Sequence, residues 1–293
     1  MRWRGRRGSA NVEDRRGRGG FGRMAGGGMR IPVGRGGVGG LGFIAVVLVV
    51  SMLLGVNPLA LLEGLDGGPQ PPGQTRTTEA QDELSQFASV VLADTEDTWN
   101  RIFERMGEDY PEPTLVLFSG AVASACGSAS SAVGPFYCGG DQRLYLDLDF
   151  FSELRRRFEA PGDFAQAYVI AHEVGHHVQN VLGILGRYQE VRRGLSESDA
   201  NALSVRVELQ ADCFAGVWAH DTQQKGLLEE GDIDEALNAA AQIGDDAIQE
   251  RTRGYVVPDS FNHGTSEQRA RWFRTGLEQG SLDACDTFEA ERL

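Results

Sequence analysis

A chain of 293 residues with a formal net charge of −14 can hold one sizeable core plus a tail, and two large domains would be a squeeze. Its first 37 residues carry ten arginines against Glu13 and Asp14, a net of +8, which leaves −22 on the rest. A body that acidic repels phosphate, so no nucleic acid partner is expected.

Residues 1–37 are mostly Arg and Gly, with few apolar groups to offset chain entropy, and read as a disordered basic tail on the cytoplasmic side. Residues 38–62 contain no charge, and 41–56 are nearly all apolar. A run of that length suits one transmembrane helix, and ten preceding arginines orient it with the N terminus inside. Gly19 to Arg23 resembles RNA-binding RGG segments. A basic tail before a span, however, is more often a topology signal and a contact for anionic lipid. Residues 63–77, rich in Gly, Pro and polar groups, read as a linker. The folded part is then 78–293, carried to the periplasmic or extracellular face of the inner membrane.

Leu84, Phe87, Val91, Thr95, Thr98 and Ile102 recur at helical spacing, and Gly107 and Pro111 end the pattern near Met106. Thr114 to Phe118 is a β-branched and aromatic strand. Arg143 to Phe150 alternates Leu144, Leu146 and Leu148 with polar positions, the period of a half-buried strand. Between them a loop of small residues holds Cys126 and Cys138. The remainder is helical: from an Asp163 N-cap to Leu182, from Ser198 to about Thr222, from Asp232 to Gln249, and from a Thr265/Gln268 capping box to Glu278. Strands before helices make this an α+β domain, mostly helical with a small β-sheet.

The first of these later helices contains His172-Glu173-Val174-Gly175-His176, an HExxH motif. Positions four apart share a helix face, so both imidazoles can address one ion while Glu173 lies beside it. Zinc takes nitrogen ligands and brings a bound water to a pKa of about 7; Glu173 can accept that water's proton and pass it to the leaving amine. Burying these polar groups without a metal would be costly. A catalytic zinc usually has three protein ligands. Glu208 is the best third candidate, with Asp212 one turn on to accept the other ring N–H of a ligand histidine. His177 points off the ligand face, His220 lies near a helix end, and His263 lies far downstream.

The segments HEVGHH, ELQADCFAGVWA, SACGSASSAVGPFYCGGDQRLYLDLDFF and GYVVPDSFNHGTSEQRARWF together resemble the bacterial neutral zinc metallopeptidase family, over nearly the whole chain. HExxH followed by ExxxD is also similar to the wider gluzincins, whose third ligand is the glutamate. The likeness implies a zincin-like peptidase and names no substrate. His263 to Arg269 is similar to the His-Pro…Arg segment of membrane-linked gluzincins such as the CAAX prenyl proteases, with Gly264 in place of the proline. On that likeness His263 would donate to an oxyanion and Arg269 would support it or bind a substrate carbonyl; otherwise Arg269 is a surface charge on a helix capped by Thr265.

The four cysteines include no CxxC pair and do not read as a metal ribbon or a redox dithiol. Cys126 with Cys138 and Cys213 with Cys285 are candidate disulfides, which require an oxidising compartment; buried free thiols are the rival. The strand from Arg143 to Phe150 precedes the site helix, as a substrate-lining edge strand does in zincins. The sequence therefore predicts a membrane-anchored Zn2+ peptidase acting on peptide or protein substrates. Metal ligands are His172, His176 and Glu208, catalytic groups are Glu173, His263 and Arg269, and Asp212 supports them. The alternative is a catalytically silent zincin-like scaffold.

Overall fold

A computed structural model describes residues 1–17 and 78–293. The expected span 38–62, the linker 63–77 and residues 18–37 lie outside the described residues. Among those described, no helix is long and apolar enough to cross a membrane.

The fold is α+β and mostly helical. Strand β1 (Val12–Asp14) is followed by α1 (Glu79–Met106), β2 (Thr114–Phe118), β3 (Ala121–Ser124), β4 (Gly127–Ser130), β5 (Phe136–Cys138) and β6 (Arg143–Asp147). Then come α2 (Asp149–Arg156), α3 (Asp163–Val181), α4 (Ile184–Arg192), α5 (Glu197–Gln224), α6 (Asp232–Gln242), α7 (Asp245–Arg253) and α8 (Ser266–Gln279). A four-stranded sheet runs β1-β2-β6-β5, with β5 antiparallel to β6 and the other pairs parallel; β3 and β4 form a separate hairpin.

Strand geometry alternates side chains between faces. Leu115, Leu117, Leu144 and Leu146 enter the main helical core, while Val116, Phe118 and Tyr145 join Val122 of the hairpin in a second cluster. Both faces of β6 are therefore covered. The predicted half-buried edge strand is an interior one, and it stops at Asp147 because 149–156 turns into α2. The edge on that side is β5, whose Phe136 stacks on Tyr145 opposite it at 4.8 Å.

Thr78 and Thr265 form the capping boxes of α1 and α8. Gly162, not Asp163, occupies the N-cap of α3, and Ser196 caps α5. The single helix expected over 232–249 is two, broken at Ile243 and Gly244. A Cβ at Gly244 would lie 2.4 Å from the Ser266 backbone nitrogen, so close packing against the start of α8 accounts for the break. Helices α5 and α8 meet through Gly276, where a Cβ would fall 1.9 Å from the Cys213 carbonyl oxygen. Both candidate disulfides form, Cys126–Cys138 and Cys213–Cys285.

The largest departure from expectation is the N-terminal segment. Residues 1–17 are packed on the body: Met1 and Trp3 belong to the main core, and Trp3 meets Phe87 edge-on at 5.4 Å. β1 extends the sheet, with Val12 opposite Leu115 and Asp14 opposite Leu117. Arg6 bonds Asp94 at 2.8 Å, Arg7 bonds Asp97 at 2.7 Å, and Asn11 bonds Glu96 at 2.9 Å. Averaged composition hid this order, because the counter-charges sit on α1, more than 80 residues away.

Candidate metal centre

Helix α3 is the hub of the domain, packed against α1, α5, α6 and the β5–β6 side of the sheet. Its glycine in HExxH sets the approach of α5. A Cβ at Gly175 would lie 2.8 Å from the Ala211 carbonyl oxygen and 3.1 Å from its Cα, so the two helices cross backbone to backbone. That crossing brings Glu208, one turn before Asp212, over the two imidazoles.

His172 Nε2 lies 3.3 Å from Glu208 Oε2, and His176 Nε2 lies 3.6 Å from Glu208 Oε1. One donor atom from each residue falls within 4.8 Å of the others. Ligands about 2.1 Å from a tetrahedral zinc stand roughly 3.4 Å from one another, so the three donors are spaced for one ion. The other ring nitrogens are also held. His172 Nδ1 meets Asp212 Oδ1 at 2.8 Å, and His176 Nδ1 meets Gln179 Oε1 at 2.9 Å. Acceptors at both Nδ1 positions fix the proton there and leave each Nε2 lone pair facing the third ligand. An N, N, O donor set of this kind fits zinc.

Electrostatics point the same way. Burial by itself lowers the His172 pKa, but the Asp212 and Glu208 carboxylates outweigh it and hold it up to about 10. Burial raises and the two imidazoles more than reverse the Glu208 pKa, which lies well below the usual carboxylate range. Without metal the site would therefore hold protons between these residues, in the places that a bound divalent cation would take.

Asp212 is fully buried and is the centre of its own network. Its Oδ1 accepts from Tyr168 Oη at 2.5 Å and from Arg269 Nη2 at 2.9 Å, and its Oδ2 accepts from Arg269 Nε at 2.9 Å. Arg269 Nη1 donates to the Ile243 carbonyl at 3.2 Å. Arg269 is thus buried and not a surface charge, and each guanidinium nitrogen has a protein partner; its place is to anchor Asp212. His263 is half exposed at the cleft, with Nδ1 3.2 Å from Asp245 Oδ1. Asp245 Oδ2 also accepts the backbone N–H groups of Asn262, His263 and Gly264. That carboxylate, in place of a proline ring, fixes the loop around Gly264.

The cleft is a cavity of about 400 Å³ in which Glu173, His172, His176, Glu208 and His263 share the polar side. Phe136 and Tyr137 of β5 form one wall, and Phe150, Phe158, Val169, Ile243 and Ile248 supply apolar surface. A roomier cavity of about 540 Å³ lies between α4, α5 and residues 282–289, and it contains none of the ligand residues. His177 is outside the ligand set as expected: its Nε2–H donates to the Pro111 carbonyl at 2.6 Å, and Nδ1 faces Tyr137 Oη at 3.0 Å. His220 sits against the Leu277 carbonyl. Sequence reading missed Tyr168, Gln179 and Asp245. The first two stand four before His172 and three after His176, on the ligand face, so helical spacing could have found them. Nothing local to Asp245 marks it.

Two α-helices that offer HExxH and a facing glutamate to one ion, beside a cleft edged by a short antiparallel strand, define a metallopeptidase-type site. The chain belongs to the family described as "Putative neutral zinc metallopeptidase", whose model matches residues 1–288. It is 49% identical to "Uncharacterized protein YpfJ" of Escherichia coli (strain K12) over 98% of this chain and 99% of that one. It is 42% identical to "Uncharacterized protein Rv2575" of Mycobacterium tuberculosis (strain ATCC 25618 / H37Rv) over 83% of this chain and 86% of that one. No solved structure matches.

Proposed function

We propose that this chain is a zinc-dependent endopeptidase whose ligands are His172, His176 and Glu208 and whose general base is Glu173. The observation that carries the reading is the convergence of three donor atoms within 4.8 Å beside an open cleft. Bound there, zinc would supply Lewis acidity and a water that ionises near neutral pH. The Glu173 carboxylate accepts the proton of the attacking water and delivers it to the leaving amine. His263, aimed by Asp245, donates from Nε2 to the carbonyl oxygen as negative charge develops on it. Arg269 keeps Asp212 ionised and in place, and Asp212 in turn holds the His172 ring. A substrate backbone adds to the free edge of β5, the strand that borders the cleft. Attachment to a membrane through residues 38–62 and placement of the domain outside the cytoplasm belong to the same proposal. Their support is the uncharged apolar run and the two disulfides.

The test is zinc content of the full chain by elemental analysis, with cleavage of a peptide library with and without chelator. Stoichiometric zinc and chelator-sensitive cleavage are expected. Glu173→Gln should keep the zinc and lose at least a hundredfold in rate; cleavage equal to the parent's would reject the assignment. Zinc binding with no cleavage of any peptide would favour a silent scaffold.

A further inference from the structure

We infer that the N-terminal segment 1–17 and the metallopeptidase domain lie on the same side of any membrane the protein meets, so that the chain between Gly17 and Thr78 crosses a bilayer an even number of times, zero included. This reverses the topology that the arginine count suggests, and it does not depend on whether the site turns over.

The inference rests on how residues 1–17 are used. They form one compact unit with the body. Trp3 is 5% exposed and lies against Phe87 of α1. β1 takes the edge of the sheet, with Leu115 N–H donating to the Asn11 carbonyl at 2.8 Å and Arg15 N–H donating to the Leu117 carbonyl at 2.8 Å. Without β1, that ladder would stand open along β2. Among the described residues, four arginines of the topology signal have partners on the body: Arg4 with Glu83, Arg6 with Asp94, Arg7 with Asp97, and Arg16 with Asp82. Charges paired in this way along the surface of a folded domain are not free to read the membrane's polarity. The Met1 ammonium lies 2.5 Å from Asp163, the first residue of the HExxH helix, and 3.2 Å from Asp232, so the segment also braces the element that carries two metal ligands.

Distance decides between the two topologies. A single span would hold its flanks about 30 Å apart, the thickness of a bilayer's hydrocarbon core. A Cβ at Gly8, by contrast, would lie 3.5 Å from Ser89 Cβ on α1. The two flanks are therefore in contact and not a bilayer's thickness apart.

The full chain, expressed in cells, carries single cysteines at Arg4→Cys and Met106→Cys, whose side chains are 74% exposed and, for the whole Met106 residue, 46% exposed. The four native cysteines are held in disulfides. Intact cells or spheroplasts are treated with a membrane-impermeant maleimide, and lysed cells serve as the reference. Both positions should be labelled in intact cells or both protected, with both labelled after lysis. A second chain carries Gly8→Cys with Ser89→Cys, a pair whose Cβ spacing suits a disulfide. Oxidant should link residues 8 and 89, read from the mass of the joined peptides. Labelling of position 4 and position 106 from opposite sides, with no 8–89 link after oxidant, overturns the inference.

Discussion

Replacing Asp212 by asparagine isolates the group on which the metal site's geometry turns. Burial raises the Asp212 pKa, but Arg269 and His172 more than reverse this and hold it down to about 2, against an ordinary 3.8. That difference favours the charged form by about 2 kcal/mol. The sign follows: this stability is present above pH 3.8 and is lost as pH falls through about 2. Asp212→Asn also leaves the guanidinium of Arg269, 3% exposed, without its anion, a loss typically of about 3–5 kcal/mol. Urea unfolding of the metal-free protein at pH 7 should therefore show about 3–5 kcal/mol of destabilisation. Competition against a chromophoric chelator should show zinc binding weaker by about 10- to 100-fold, because the amide holds the His172 ring less firmly. Adding Arg269→Met to Asp212→Asn should restore part of the stability and none of the zinc affinity. A single variant within 1 kcal/mol of the parent and with unchanged zinc affinity would refute this account of the network.

Burial pushes the His177 imidazole down to about 4, partly offset by the Pro111 carbonyl. The unfolded chain takes up a proton as pH falls through 6.5 while the folded protein does not, so stability should fall by roughly 3 kcal/mol between pH 6.5 and 4. His177→Gln should flatten that slope in metal-free protein, and an unchanged slope would show that His177 is not its source. Trp3→Ala should cost about 3–5 kcal/mol by urea unfolding, whereas a loss under 1 kcal/mol would mean that the N-terminal segment adds little to the fold. Gly276→Ala should separate α5 from α8 and reduce soluble yield sharply. Gly186→Ala, whose Cβ meets nothing within 4 Å, should be neutral or stabilising by about 0.5–1 kcal/mol, and equal behaviour of the two would refute the close-packing argument.

The convergence of the proposed ligand residues was legible because each pair depends on spacing along one helix. His172 and His176 lie four apart in α3, and Glu208 and Asp212 lie four apart in α5, which leaves only the meeting of the two helices to tertiary structure. Arg269 was harder. Its position after the Thr265 cap was readable, but its burial depends on Asp212 of α5 and on Ile243 at the break between α6 and α7. The break at Gly244 was invisible because its cause is the backbone of Ser266. Strand β6 was legible as a strand and misread as an edge, since its second face is covered by a hairpin of small residues with weak strand propensity. The order of residues 1–17 was lost for a similar reason: the composition rule weighs a segment alone, and the carboxylates that neutralise Arg6 and Arg7 lie elsewhere in the chain.

From His176 a line of amides runs toward the far end of the protein. His176 Nδ1–H donates to Gln179, the Gln179 amide donates to Gln210 at 3.0 Å, and the Gln210 amide donates to the carbonyl of Cys285 at 3.0 Å. All three bonds point the same way, and the Gln179 amide donates as well to the Val207 carbonyl at 2.7 Å, so the His176 ring is set from two sides: by the backbone of α5 and by a peptide oxygen 109 positions later, itself pinned by the bridge to Cys213. A polypeptide that has not closed that bridge loses the second of these anchors and keeps the first, the Val207 carbonyl of α5. On the proposed zinc assignment, oxidative maturation would add the second brace to a histidine that already has one.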